Sequence, residues 1–170
     1  MYNKEKLLMI EDDYERALVL VRILFKDKTD KEGKPYIGHL LRVSSKLKNK
    51  NTQIAGLLHD VVEDIPGFTF DDLRELNFNE EIITLVQLVT KEPSSSNENK
   101  KELYHNKITS ILESDNIEAV KLKYSDMSDN FDENRLNNLD EATKNRLIDK
   151  YQGEILRLRK HLTSNGGLDE

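Results

Sequence analysis

Residues that interrupt helices are scarce in this chain of 170 residues, which contains only 7 glycines and 3 prolines. Charged residues make up 34% of the sequence and hydrophobic residues 36%. A sandwich or barrel needs many tight turns between short strands, and such turns are rich in glycine and proline. The composition therefore predicts an all-α fold, and the length is that of one domain with a sizeable buried core.

The composition also excludes several kinds of site. With no cysteine, the chain has no disulfides, thiolate zinc sites, iron–sulfur clusters or cysteine nucleophiles, so any metal ion must be bound by histidine, carboxylates or water. The 26 basic and 32 acidic residues give a net charge of -6, which repels nucleic acid polymers. The most apolar window, 17–25, is far shorter than the roughly 20 residues of a bilayer span. We therefore expect a cytoplasmic protein without membrane or nucleic acid partners.

Apolar residues recur at helical spacing along most of the chain. The helices are predicted over 5–26, 35–47, 54–64, a short segment after 69, 80–90, a segment ending at 112, 117–131 and 140–162. Asn51 or Thr52 is predicted to cap the third helix, and Thr69 to Asp72 form a predicted capping box. The third helix is apolar on nearly every face, so it is expected at the centre of the core.

These helices predict a single compact helical bundle over residues 1–163, followed by a flexible tail over 164–170. Pro66 and Gly67 predict a turn between two helices. The polar loop over 92–99 is a candidate lid.

An unusual group of ionisable residues lies at the end of the most apolar helix. His59 and Asp60 are followed within one helical turn by Glu63 and Asp64. Such a group is costly to desolvate unless it is paired or binds a cation. Because His59 shares a helix face with Glu63, and Asp60 with Asp64, the group can present two metal ligands and two further carboxylates to one cavity. The alternative is a buried hydrogen-bonded pair of His59 and Asp60 without a metal.

Two other places offer ligands for the same ion. His39 lies on a helix with apolar neighbours such as Leu40 and is expected to face inward. Asp126 lies on an amphipathic helix close to Asp129 and Asn130. Two imidazoles and two carboxylates, with room for water, suit Mn²⁺, Zn²⁺ or Fe²⁺ better than Ca²⁺. Taken alone, His39 would be an ordinary core histidine, and the alternative for Asp126, Asp129 and Asn130 is a solvated helix face.

Three stretches of the sequence resemble the HD-domain metal-dependent phosphohydrolases, and above all the hydrolase domain of RelA/SpoT-type alarmone enzymes and their small stand-alone relatives. In order along the chain, the stretches are 33–39 (GKPYIGH), 55–64 (AGLLHDVVED) and 120–130 (VKLKYSDMSDN). The middle stretch is the most specific, because its apolar residues lead directly into the His-Asp pair and the two following acids.

The resemblance implies a helical domain that hydrolyses the 3′-pyrophosphate of ppGpp or pppGpp. It also implies that one Mn²⁺ is bound by His39, His59, Asp60 and Asp126. In that family, the pair matched by Glu63 and Asp64 handles the attacking water and its protons, and the residue matched by Asn130 helps to position the nucleotide.

Three basic side chains near these motifs have two interpretations. Lys28 and Lys31, in the loop before the first motif, either bind the substrate or are ordinary solvated loop residues. Arg42, one turn after His39, either faces the phosphates or forms a surface ion pair. Three further residues without an acidic cluster beside them are expected at the surface: Tyr104, His105 and His161.

Three functions are compatible with these observations. The first is a Mn²⁺-dependent (p)ppGpp hydrolase whose partner is a small anionic nucleotide. The second keeps the metal site but acts on another nucleotide or phosphate ester, and the third is a non-catalytic nucleotide-binding regulatory module. A homodimer is compatible with the sequence, although no residue requires one.

Overall fold

In the computed structural model, residues 2–91 and 99–167 are described, and regular secondary structure among them is helical, with no strand. The helices are α1 (Lys4–Leu8), α2 (Asp13–Leu24), α3 (Ile37–Ser45), α4 (Lys50–Leu58), α5 (Val61–Asp64), α6 (Phe70–Glu75), α7 (Glu80–Val89), α8 (Lys100–Glu113), α9 (Ile117–Asn130), α10 (Glu133–Leu136) and α11 (Glu141–Ser164). The predicted all-α class is therefore confirmed for the described residues. The chain divides into two compact units, Met1–Thr90 and Lys91–Glu170.

Helix α4 forms the centre of the first unit, where it packs against α2, α3 and α7. Its side chains at Ile54, Ala55, Leu57 and Leu58 are almost completely buried. A helix that is apolar on nearly every face is stable only when it is buried on all sides. Each apolar side chain left in water would forgo the favourable free energy of transfer into the core. The predicted central position of this helix is confirmed.

Gly56 allows α3 and α4 to approach each other closely. A Cβ atom at Gly56 would lie 3.1 Å from the Cα atom of Ser44 and 3.1 Å from Cδ1 of Leu47. The Ser44 hydroxyl also donates to the backbone oxygen of Gln53 at 2.8 Å, which ties α3 to α4. The glycine therefore favours this close helix packing, and its own backbone conformation does not call for glycine.

The prediction of one continuous helix over 5–26 is wrong, since α1 ends at Leu8 and α2 begins at Asp13. The Asp12 side chain accepts hydrogen bonds from the backbone N–H groups of Tyr14 and Glu15. This N-cap stabilises a helix that starts after Asp12, and apolar periodicity alone does not report such a break.

The predicted cap and length of the third helix are also wrong. Asn49, rather than Asn51 or Thr52, caps α4 by accepting a hydrogen bond from the Thr52 N–H. The helix ends at Leu58, and α5 begins only after His59 and Asp60. The His-Asp pair therefore lies in the two-residue connection between α4 and α5.

Other local predictions are confirmed. Thr69 forms the predicted capping box with Asp72. Gly67, at φ +78°, follows Pro66 in the predicted turn, which the Phe68 N–H closes by donating to the Ile65 oxygen at 3.1 Å. Helix α10, a single short turn, was not predicted from the sequence.

The second unit contains α8, α9, α10 and α11, and α11 packs against both α8 and α9. Asp140 caps α11 as predicted, by accepting from the Thr143 N–H at 3.0 Å. The boundary between a domain over 1–163 and a flexible tail over 164–170 stays a prediction, and residues 168–170 lie outside the described residues. So do residues 92–98 of the candidate lid. Among the described helices, none has an apolar stretch long enough to cross a bilayer.

The packing at Gly56 yields a test of the fold. We expect Gly56→Ala to lower the free energy of unfolding by about 1–3 kcal/mol, because the added methyl group meets backbone atoms of α3 that cannot move cheaply. The matched control is Gly153→Ala, since Gly153 lies within α11 and a Cβ there would meet nothing within 4 Å. Alanine should stabilise that position by about 0.5–1 kcal/mol. Urea denaturation of both variants measures the difference, and equal effects would contradict the packing argument.

Candidate metal centre

Two buried histidines face each other in the first unit. His39, on α3, is 2% exposed, and His59, directly after α4, is 3% exposed. Their ring centroids are 5.4 Å apart at an interplanar angle of 66°, and one ring nitrogen of each lies within 4.8 Å of the other. This spacing is short enough for both nitrogens to bind the same ion.

The hydrogen bond made by His59 fixes its tautomer. Its Nδ1 lies 2.8 Å from the backbone oxygen of Gly56. A carbonyl oxygen only accepts, so Nδ1 must carry the proton and donate it. In a neutral imidazole the lone pair is then on Nε2, and this arrangement is common in metal-binding histidines.

Asp60 brings a carboxylate to the two histidines. Its Oδ2 lies 3.1 Å from Nε2 of His59 and 3.8 Å from Nε2 of His39, and its side chain is only 12% exposed. The Tyr36 hydroxyl donates to the same Oδ2. A carboxylate oxygen and an imidazole lone pair at this distance repel each other unless a proton or a metal cation lies between them. The arrangement therefore suits a cation.

A lysine lies beside this group. Nζ of Lys28 donates to Oδ2 of Asp64 and lies 4.2 Å from the centroid of the Tyr36 ring. The Tyr36 ring in turn stacks on Phe25 with centroids 5.3 Å apart. Lys28 and Asp64, predicted separately as a substrate ligand and a catalytic acid, are thus partners in the first unit. Glu63 lies beside Asp64 in the first turn of α5 and is partly exposed.

The loop that carries Lys28 and Lys31 is organised by one aspartate. The Asp30 carboxylate accepts from the N–H groups of Glu32 and Lys34, and Gly33 adopts φ +77°. Lys31 is exposed at the surface of this loop. These local bonds hold the loop in a defined shape.

Arg42 lies on the same helix as His39. Its guanidinium extends back over Gly38, where a Cβ would be 3.1 Å from Nη1. Arg42 is partly exposed and Lys31 exposed, so both are accessible to a ligand.

In the second unit, the structure places Asp126 and Asn130 together on α9. Nδ2 of Asn130 donates to Oδ1 of Asp126 at 2.8 Å, and Nζ of Lys123 donates to Oδ2 at 2.8 Å. Asp129, its neighbour in the motif, accepts instead from the guanidinium of Arg135. The Asp126 carboxylate is therefore held by two donors on its own helix.

The prediction that Tyr104 is a surface residue is wrong, because its side chain is 4% exposed. Burial raises the pKa of the Tyr104 phenol above its usual value, so the hydroxyl stays neutral, although nearby Lys123 opposes that rise. His105, by contrast, has a side chain that is 52% exposed, and it contacts Glu154 through Nδ1 at 2.7 Å. His161 is partly exposed.

Three contributors to these groups were not predicted from the sequence, namely Tyr36, Gly56 and Lys123. Each lies three residues before a predicted ligand, namely His39, His59 and Asp126. Residues three apart on a helix share one face, so this spacing is the signal that could have identified them.

Comparison with known proteins agrees with the geometry. Residues 17–122 match a family model described as HD domain. A guanosine-3′,5′-bis(diphosphate) 3′-pyrophosphohydrolase of Aquifex aeolicus (strain VF5) is 32% identical over 123 residues, which cover 70% of this chain and 17% of that protein. The chain belongs to the HD domain family.

The family resemblance extends to smaller relatives. The pyrophosphohydrolase MESH1 of Drosophila melanogaster is 30% identical over 116 residues, covering 65% of this chain and 62% of that protein. A solved structure of a metazoan SpoT ortholog that hydrolyzes ppGpp superimposes with a TM-score of 0.66 at 21% identity, covering 94% of this chain and 98% of the other. That similarity establishes the fold. The chain spans less than a fifth of the length of the bacterial relative and about three-fifths of the fly relative.

Membership in the HD domain family implies a divalent metal ion, and the donors of the first unit fit one. His59 presents the Nε2 lone pair, His39 lies with a ring nitrogen close by, and Asp60 adds an anionic oxygen. Borderline divalent ions prefer this combination of imidazole and carboxylate ligands.

Proposed function

We propose that this protein is a metal-dependent pyrophosphohydrolase that converts ppGpp to GDP and pyrophosphate, and pppGpp to GTP and pyrophosphate. The observation that carries the proposal is the approach of the His59 Nε2 lone pair to the Asp60 carboxylate at 3.1 Å beside a second buried histidine. A proton or a metal cation between these atoms stabilises this arrangement, and a divalent ion can in addition neutralise phosphate charge. The substrate class is supported by the names of the relatives in Aquifex and Drosophila.

The proposed metal ligands are His39, His59, Asp60 and Asp126, and the proposed ion is Mn²⁺, with Zn²⁺ and Fe²⁺ as the other candidates. Asp126 is included because of its family motif, and its buried carboxylate with two fixed donors supports that role. When bound, such an ion lowers the pKa of its water and neutralises phosphate charge. We further propose that the enzyme acts in the cytoplasm, alone or as a homodimer.

Lys28 is proposed to bind the anionic substrate and at the same time to release Asp64. Its ion pair with Asp64 is partly solvated, the side chains being 35% and 31% exposed, and such pairs contribute only about 0–1 kcal/mol. A phosphate group carries more negative charge than one carboxylate and can therefore take its place. Once Lys28 contacts the substrate, the Asp64 carboxylate becomes available to accept a proton.

Glu63 and Asp64 are proposed as the catalytic acids. Both lie in the first turn of α5, directly after the His59-Asp60 pair. A carboxylate in this position can orient the attacking water and accept its proton, and can later return a proton to the leaving group.

The remaining substrate contacts are proposed for Lys31, Arg42 and Asn130. Lys31 is exposed in its loop, and the Arg42 guanidinium offers the planar fork of donors that suits a phosphate. Asn130 directs Nδ2 to Asp126 at 2.8 Å, so its Oδ1 is the atom proposed to contact the nucleotide.

A panel of nucleotides tests the proposed reaction. Purified protein with added Mn²⁺ should release pyrophosphate from ppGpp and leave GDP, with little release from GTP or from simple phosphate esters. Orthophosphate release from another nucleotide would instead indicate a different HD hydrolase. Tight binding of ppGpp without turnover would indicate a regulatory binding module.

Two variants test the proposed division of roles. Asp64→Asn should keep Mn²⁺ binding but lower kcat by about 10²–10⁴, because it removes a general base. His59→Ala should lose both Mn²⁺ binding and turnover, because it removes a ligand. Isothermal titration with Mn²⁺ and a steady-state assay separate the two effects, and a fully active Asp64→Asn enzyme would refute the role of Asp64.

The role of Lys28 can be tested with a matched lysine. Lys28→Met should raise KM for ppGpp about tenfold or more, since a hydrogen bond to a charged group contributes about 1.5–3 kcal/mol. The control is Lys26→Met, because Lys26 has a side chain that is 71% exposed and pairs only loosely with Asp27 at 3.7 Å. Its KM should stay close to that of the unmodified enzyme. Equal changes in both variants would point to a general effect of charge.

A further inference from the structure

The Asp126 carboxylate is held on both sides by its own helix. Lys123 donates to Oδ2 and Asn130 to Oδ1, both at 2.8 Å. These residues precede and follow Asp126 by three and four positions, so all three side chains lie on one face of α9. The Asp126 side chain is 10% exposed, so its donors, rather than bulk water, set its orientation.

Lys123 in turn depends on a residue of another helix. Its side chain is only 5% exposed, and a buried ammonium group needs partners for its protons. Tyr104 of α8 supplies one, since it hydrogen-bonds Lys123 and its ring centroid lies 5.5 Å from Nζ. The lysine stem is flexible by itself. Tyr104 therefore fixes the lysine that fixes the Asp126 carboxylate.

We propose that Tyr104 and Lys123 are positioning residues that orient the Asp126 carboxylate for metal binding. This inference rests on the proposed role of Asp126 as a ligand and adds the two residues that prepare it. Outer partners of this kind hold a ligand in its binding orientation, so that less rotational freedom is lost when the ion arrives.

The charge of Lys123 and a positioning role of Lys123 predict opposite changes in Mn²⁺ affinity. The Lys123 ammonium lies 2.8 Å from an oxygen of the proposed ligand, so its charge repels a divalent cation bound by that carboxylate. If Lys123 acted only through its charge, Lys123→Met would strengthen Mn²⁺ binding. A positioning role predicts the opposite, because the carboxylate is then free to rotate.

The experiment is a Mn²⁺ titration of the full chain in which free Mn²⁺ is followed by electron paramagnetic resonance. We expect Tyr104→Phe and Lys123→Met each to weaken binding about 10- to 100-fold, the usual loss for an outer partner of a metal ligand. Circular dichroism and urea denaturation in the presence of a chelator show whether each variant folds. If Lys123→Met does not fold, Tyr104→Phe decides, since it keeps the ring and removes only the hydroxyl. Unchanged or stronger Mn²⁺ binding in a folded variant would overturn the proposal.

Two further variants distinguish the positioning role from a general effect of charge and from an error in the proposed ligand set. Lys150 places Nζ 4.9 Å from the centroid of the same Tyr104 ring, so Lys150→Met removes a similar charge. The Mn²⁺ affinity of Lys150→Met should stay within about threefold of the unmodified protein, because this partly exposed charge is screened by solvent and salt. A loss of Mn²⁺ affinity as large as that of Lys123→Met would overturn the positioning role. Asp126→Asn tests the ligand itself. If it binds Mn²⁺ normally, the proposed ligand set fails. If it loses Mn²⁺ while Tyr104→Phe and Lys123→Met bind normally, only the positioning inference fails.

Discussion

The close approach of α3 and α4 at Gly56 is the constraint on which the metal centre of the first unit depends. A Cβ atom at Gly56 would lie 3.1 Å from the Cα atom of Ser44, a tight contact with the backbone that glycine avoids at this separation of the helices. His39 lies on α3 and His59 directly after α4, and their rings face each other because the two helices are this close. The backbone oxygen of Gly56 also accepts the Nδ1 proton of His59. One residue thus sets both the spacing of the histidines and the tautomer of one of them.

The positions of the charged groups in this unit depend on the residue at which α4 ends. Because the helix stops at Leu58, Asp60 is placed in a connection rather than on a continuous helix face, and its carboxylate reaches both imidazoles. Tyr36 donates to that carboxylate, and Lys28 packs against the same ring while it pairs with Asp64. The aromatic ring therefore connects the buried donors of the metal to the more exposed charges that are proposed to bind substrate.

Much of the fold could be predicted from the sequence because its signals are local. The capping box at Thr69 and the cap at Asp140 depend on residues within one helical turn, and both predictions are confirmed. The break between α1 and α2 was not predicted because helical spacing of apolar residues continues across Asp12. The only local sign of the break is the Asp12 side chain, which caps α2. Tyr104 was predicted at the surface because no acidic cluster lies beside it, although its spacing from Ile108 and Ile111 indicates the buried face of α8.

The sequence by itself determined the helical class, the absence of thiol chemistry and the motifs that contain His39, His59, Asp60 and Asp126, since these depend on composition and short-range spacing. Only the tertiary structure decided which atoms meet. The approach of His39 to Asp60 and the pairing of Lys28 with Asp64 depend on backbone positions set by helix packing. Contacts between neighbours in sequence, such as His59 with Asp60, depend on local backbone geometry, whereas the 3.8 Å separation of His39 from Asp60 arises only when α3 packs against the end of α4.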